Sequence, residues 1–154
     1  MGTEETIEKY MTTDLTTFKP GQDIYDVVRS LLKNKISGAP VVNDKYELVG
    51  VISEKDCLKV IVDCAYHNLP PGRVADYMTS LPQTIPSKTT VAEAAYKFLN
   101  SNYRRFPVVD PKGKLIGQLS RRDVLRSIKE IKATTWYAGR TKKFPMNPNI
   151  DYHE

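Results

Sequence analysis

The chain has little of what a disulfide-stapled or metal-centred protein needs. It holds two cysteines, two histidines and one tryptophan among 154 residues. Cys57 and Cys64 stand seven positions apart on a predicted helix, about two turns or roughly 10 Å, which is too far for a disulfide. They read as packing thiols. His67 and His153 lie near no Cys or carboxylate cluster with ligand spacing, so no metal site is expected. No apolar run approaches the roughly 18 residues of a membrane span, and Glu4 and Glu5 make the start acidic, without a signal-peptide core. A cytoplasmic protein with no membrane partner is expected. A nucleophile paired with a base, a phosphate-cradling glycine loop and a metal constellation are all missing, so no enzyme is expected.

What the chain does have is a duplication. Leu48-Val49-Gly50-Val51-Ile52-Ser53-Glu54-Lys55-Asp56 returns as Leu115-Ile116-Gly117-Gln118-Leu119-Ser120-Arg121-Arg122-Asp123. In both, an apolar run with β-branched residues reads as a buried strand, the Ser begins a helix, and the Asp follows three positions later. Tyr10-Met11-Thr12 recurs as Tyr77-Met78-Thr79 and Pro40-Val41-Val42 as Pro107-Val108-Val109, every pair 67 residues apart. One spacing throughout means that no insertion separates the copies. A repeat that cannot bury its apolar face alone buries it against its neighbour, so one body with a pseudo-twofold axis is expected.

Within copy one, Leu15 to Phe18 is a candidate short strand, and Ile24, Val27, Val28, Leu31 and Leu32 form the apolar stripe of a helix lying on a sheet. Copy two repeats the stripe with Val91, Ala94, Ala95, Phe98 and Leu99, opened by a capping box at Thr90 and Glu93; Asp23 and Asp26 hold the matching places. A strand with Pro at its beginning follows, then a polar turn at Asn43-Asp44-Lys45 or Asp110-Pro111-Lys112-Gly113, then the duplicated strand and a second helix. Leu58, Ile61, Val62 and Ala65 lie on that helix in copy one, and Val124, Leu125, Ile128 and Ile131 in copy two. Each copy reads β-α-β-β-α, a mixed α+β fold. The division expected is 1–67 for copy one, 68–73 for the linker, 74–131 for copy two and 132–154 for a tail. Trp136, Tyr137 and Phe144 among basic residues leave two readings of that tail, packed on the body or a second subunit, or a mobile end.

These motifs resemble a tandem pair of CBS domains, also called a Bateman module, and the Tyr-Met-Thr lead-in is similar to that of the bacterial stand-alone members. The resemblance covers residues 7 to 131. It implies a regulatory module that binds adenosine-containing ligands, AMP, ADP or ATP or S-adenosylmethionine, and is not itself a catalyst. It also implies a homodimer formed through helices. Because the chain consists of little more than the module, any regulated effector is expected to be a separate protein.

A nucleotide needs a slot for its base, acceptors for its ribose hydroxyls and donors for its phosphates. Asp123 is an acceptor-only carboxylate suited to both ribose hydroxyls. Ser120 starts a helix whose N–H groups favour an anion, with Arg121 and Arg122 as further donors. Copy one offers Ser53, Lys55 and Asp56 in the same arrangement, with Glu54 where Arg121 stands. By the resemblance, the opposite repeat completes each cleft: Thr16, Ile36, Ser37, Gly38 and Ala39 for Asp123, and Gln83, Tyr103, Arg104, Arg105 and Phe106 for Asp56. Gly38 and Ala39 leave room for a base, whereas Tyr103 and Phe106 either stack on a base or fill the slot. Arg104 and Arg105 suit phosphates.

The plainer readings stand beside these. Ser-x-x-Asp is close to an ordinary capping box, which stabilises a helix by about 1 kcal/mol with no ligand. Arg104 and Arg105 also read as a solvated strand edge, and Arg126 reads as an exposed helix face. At the level of function, the alternative is a dimeric protein-interaction module with vestigial nucleotide sites. Nucleic-acid binding through the basic tail is weakened by a net charge of only +5 and by the lack of a recognition motif.

Overall fold

The computed structural model describes residues 5–130. The tail, Ile131 and His153 lie outside them. The elements run α1 (Ile24–Asn34), β1 (Gly38–Val42), β2 (Leu48–Ser53), α2 (Glu54–Tyr66), α3 (Val74–Tyr77), β3 (Thr79–Ser80), β4 (Ile85–Pro86), α4 (Val91–Leu99), β5 (Arg105–Val109), β6 (Leu115–Ser120) and α5 (Arg121–Glu130), after a 3-10 turn at Ile7–Lys9. The two copies form two three-stranded sheets, ordered β1-β2-β3 and β4-β5-β6.

Local chemistry explains the elements. Asp23 caps α1 by accepting from the Tyr25 N–H, and Thr90 and Glu93 form the capping box of α4. Asn43 Oδ1 accepts from the N–H groups of Lys45 and Glu47, and Asp110 Oδ1 from those of Lys112 and Lys114, so each hairpin turn is closed by one polar side chain. The first strand of copy one shrinks to a single parallel bridge, Phe18 to Val41, where copy two has β4 pairing Ile85 with Val108.

The lead-ins change places. Ile7 and Tyr10, from the start of copy one, are buried with Ile85, Phe98, Phe106 and Leu119 of copy two. Val74 and Tyr77, from the start of copy two, are buried with Phe18, Ile24, Leu31 and Ile52 of copy one. Backbone bonds obey the same exchange: Ile7 N–H donates to Thr89 O and Val74 N–H to Gln22 O, both at 2.9 Å. Strand β3 pairs with β2, and Thr12 bridges Gln118 in the equivalent place. The repeat in the sequence and the unit that packs therefore differ in their opening residues.

The pseudo-twofold axis runs between the hairpins, where Leu48 N–H donates to Gly113 O and Leu115 N–H to Tyr46 O. The helix stripes split in two. Ile24, Val27 and Leu31 of α1 are buried, as are Val91, Ala94 and Phe98 of α4, while Leu32 and Leu99 face outward. On the second helices, Leu58, Ile61, Leu125 and Ile128 are all more than half exposed. Cys57 packs against the copy-one core, and burial pushes its thiol pKa up. Cys64 is exposed instead of packed.

Candidate functional site

Both Ser-x-x-Asp motifs fold as reciprocal caps. Asp56 Oδ2 accepts from Ser53 N–H at 2.9 Å, and Ser53 Oγ accepts from Asp56 N–H at 3.2 Å. In copy two, Asp123 Oδ2 accepts from Ser120 N–H at 2.8 Å and Ser120 Oγ from Asp123 N–H at 3.1 Å. The cap reading is thus true of both copies. It leaves each carboxylate with unused lone pairs, and the Asp123 side chain is 5% exposed with Arg126 as its ion-pair partner. Lys59 holds the same place beside Asp56, at 3.4 Å. Arg126 is therefore more than an exposed helix face: it neutralises the buried carboxylate from one turn on.

Two clefts open between the copies. The first, a cavity of about 330 Å³, is lined by Thr12, Asp14, Leu15, Thr16, Ile36, Gly38, Arg105, Gln118, Ser120 and Asp123. Its size sits at the lower end of the roughly 300–1,000 Å³ typical of small-molecule sites. Elements of both copies build it: Thr16, Ile36 and Gly38 from one, Ser120 and Asp123 from the other. The second, of about 180 Å³, is lined by Ser37, Gly38, Ala39, Ser53, Gln83, Tyr103, Arg104 and Arg105 with the flanking Val51, Ile52, Pro82, Pro107 and Gln118.

Several expected residues fall elsewhere. Ser37 and Ala39 line the second cleft, not the Asp123 cleft. Arg121 and Arg122 line neither cleft. On a helix they are turned about 200° and 100° away from Asp123, so they cannot share its direction; Arg121 Nε instead donates to Tyr103 O at 3.0 Å. The helix start is also less open to an anion than its sequence implies, because the N–H groups of Ser120, Arg121 and Asp123 already donate, to Asp123 Oδ2, Arg104 O and Ser120 Oγ. Lys55, turned away from Asp56 in the same manner, lines neither cleft, nor does Asp56 itself. Phe106 is fully buried, its ring packed at a tilt 4.8 Å from that of Phe98 and 5.3 Å from that of Tyr103. It fills the core rather than presenting a face to a base, and Tyr103 alone of the two reaches the second cleft.

Asp14 and Gln118 are functional candidates that motif reading missed. Asp14 lies two residues beyond the Tyr-Met-Thr lead-in, and only the exchange of lead-ins brings it to the Asp123 cleft. Gln118 replaces the copy-one Val51 inside the duplicated strand, a polar residue in an apolar run, which is a visible signal. The charges then divide unevenly. Asp14, Asp123 and Arg105 line the first cleft, while Arg104 and Arg105 line the second with no carboxylate. Among the described residues no group of three or more His, Cys, Asp or Glu is placed to hold a metal ion, and no helix is long and apolar enough to cross a membrane.

Comparison with known proteins bears on this arrangement. The CBS domain family model matches residues 7–63 and again 74–130. The chloroplastic CBS domain-containing protein CBSX1 of Arabidopsis thaliana is 30% identical over 82% of this chain, which spans 65% of that relative's length. The crystal structure of CBSX2 in complex with AMP superposes with a TM-score of 0.72 at 34% identity, covering 82% of this chain and 98% of that one. The cytosolic domain of the Mg2+ channel MgtE in complex with ATP gives 0.67 at 26% identity, over 80% of this chain and 48% of that one. Two copies of one family model, two matching sheets and a cleft on each side of the axis make the chain a member of the CBS-domain family, built as a tandem pair.

Proposed function

We propose that the protein is a regulatory module that binds an adenosine-containing ligand, AMP, ADP, ATP or S-adenosylmethionine, in the Asp123 cleft. The observation that carries it is a cavity of about 330 Å³ between the copies with a buried, acceptor-only carboxylate on its wall. Asp123 takes the ribose hydroxyls, Gly38 and Ile36 make room for the base, and Arg105 supplies donors for a phosphate. The AMP held by the related CBSX2 and the ATP held by the MgtE domain support the ligand class. The smaller second cleft, with Tyr103, Arg104 and Arg105, is the subsidiary site. Ligand that favours one arrangement of the copies shifts their population and so signals to a separate effector protein. No step of catalysis is assigned to the module.

Calorimetric titration of ligand-free protein with each compound tests this. Saturable binding by at least one is expected, with the step that belongs to the Asp123 cleft lost in Asp123→Ala. At 100 times its dissociation constant that ligand stabilises the fold by about 2.7 kcal/mol, read as a raised melting temperature. No binding by any of the four overturns the reading and leaves the protein-interaction module in its place.

A second observation favours a homodimer alongside ligand binding. The outer grooves of α1–α2, with Tyr25, Leu32, Leu58 and Ile61, and of α4–α5, with Leu99, Leu125 and Ile128, are apolar and open. Glu54 borders the first and Arg121 the second, so a copy-one face laid on a copy-two face brings opposite charges together, twice over in a twofold dimer.

A further inference from the structure

Arg105 is the one charged side chain, among the described residues, that lines both clefts. Its partner by the 67-residue repeat is Gly38, which also borders both. A Cβ at Gly38 would stand 2.9 Å from the Ile52 carbonyl oxygen, so copy one has no space for a side chain there. The junction between the clefts thus carries a single cation where strict symmetry would place two. Arg105 Nη2 donates to Ser37 Oγ at 3.2 Å, and Ser37 lines the second cleft. In this position the guanidinium leans towards the second cleft while still bordering the first.

The two clefts depend on this residue to different degrees. In the first, Arg105 is the sole cation among the lining residues, beside Asp14 and an Asp123 that is already paired with Arg126. In the second, Arg104 stands beside it. A phosphate monoester carries a charge of about −1.5 to −2 near pH 7. Two such groups converging on one guanidinium are not neutralised by it, and like charges at close range repel.

We propose that Arg105 is a phosphate-binding residue shared by the two clefts, so that phosphate-bearing ligands in them oppose one another while uncharged adenosine compounds do not. This rests on the nucleotide reading given above. A phosphate in the Asp123 cleft draws the guanidinium off Ser37 and leaves the second cleft with Arg104 alone. The asymmetry between Arg105 and Gly38 thereby makes two pseudo-equivalent clefts into competing ones.

Titration of the full chain with AMP and with adenosine tests it, comparing the second binding step of the wild type with the single step left in Asp123→Ala. With AMP, the second cleft binds about fivefold or more tightly when the first is disabled; with adenosine the two affinities agree. Arg105→Gln abolishes the AMP difference and Arg105→Lys retains part of it, each variant keeping its melting temperature. An AMP difference that persists in Arg105→Gln overturns the proposal. So does equal AMP affinity with the first cleft filled or disabled, or a second cleft that never takes AMP. The comparison of adenosine with AMP in the wild type needs no variant at Arg105, and an equal difference for both ligands overturns the proposal by itself. Failure of AMP to bind either cleft is a separate result, which removes the nucleotide reading and this inference with it.

Discussion

Single residues account for the markers that repeat. Met78 lies on Gly50 and Met11 on Gly117: a Cβ added at either glycine would stand 2.7 Å from the methionine sulfur, and 2.9 or 3.1 Å from the carbonyl oxygen of the following threonine. The sulfur can move, but the backbone oxygen is fixed in a strand pair or bridge. Gly50→Ala and Gly117→Ala are each expected to cost about 1–3 kcal/mol by overpacking, measured as a lower urea midpoint; an unchanged midpoint would show that the lead-in slides freely. Tyr10 and Tyr77 are a second matched pair. Burial, and then a hydrogen bond to Glu5 or Asp63, pushes each phenol above its ordinary pKa near 10. The folded state holds these protons more tightly than the unfolded one, so the stability they contribute is whole below about pH 10 and is lost as pH climbs through the raised values. Urea unfolding at pH 8 and at pH 11, with phenolate absorbance followed in parallel, checks this; phenols that titrate normally in the folded protein would contradict it. At this scale the sequence was informative about Asp123 and misleading about its neighbours. Helical geometry alone separates Arg121 and Arg122 from Asp123 and sets Arg126 beside it, so that part of the site was legible in the three-residue spacing.

At the scale of elements, the helices, hairpins and caps follow from periodicity and turn chemistry, and the duplication carries over from one copy to the other. The exchange of lead-ins does not. Tyr-Met-Thr occurs at the same distance from each copy's strands whichever copy it packs on, so the repeat is silent on the choice, and Asp14 was lost with it. The outward stripe on α2 and α5 was equally hard to assign, because an apolar row fits a core or a partner. The exchange makes a concrete prediction. Cleavage at a protease site placed within Asn68–Gly72 is expected to leave two fragments that co-elute and melt together. Either fragment prepared alone is expected to lack cooperative unfolding, since its sheet and helices have lost the buried pair that the other supplies. Fragments that separate on a sizing column without denaturant would argue against this.

At the scale of the whole molecule, two apolar helix faces of unlike rim charge remain open. Ile61→Glu together with Ile128→Glu, both residues being more than half exposed in the single chain, is expected to halve the mass measured by light scattering while leaving secondary structure intact. A wild-type protein that is already monomeric would remove the dimer from the account. The reciprocal lead-ins also bear on how the chain is made. Ile7 and Tyr10 are translated ahead of both copies' sheets, yet Leu119 and Val124, among which they are buried, are translated only at the far end of copy two. At roughly 5–20 residues per second the wait lasts seconds. Val74 and Tyr77 have no such wait, because all of copy one is already in place to receive them. During synthesis, copy one closes as soon as the start of copy two arrives, while the lead-in translated before either copy waits longest for its seat.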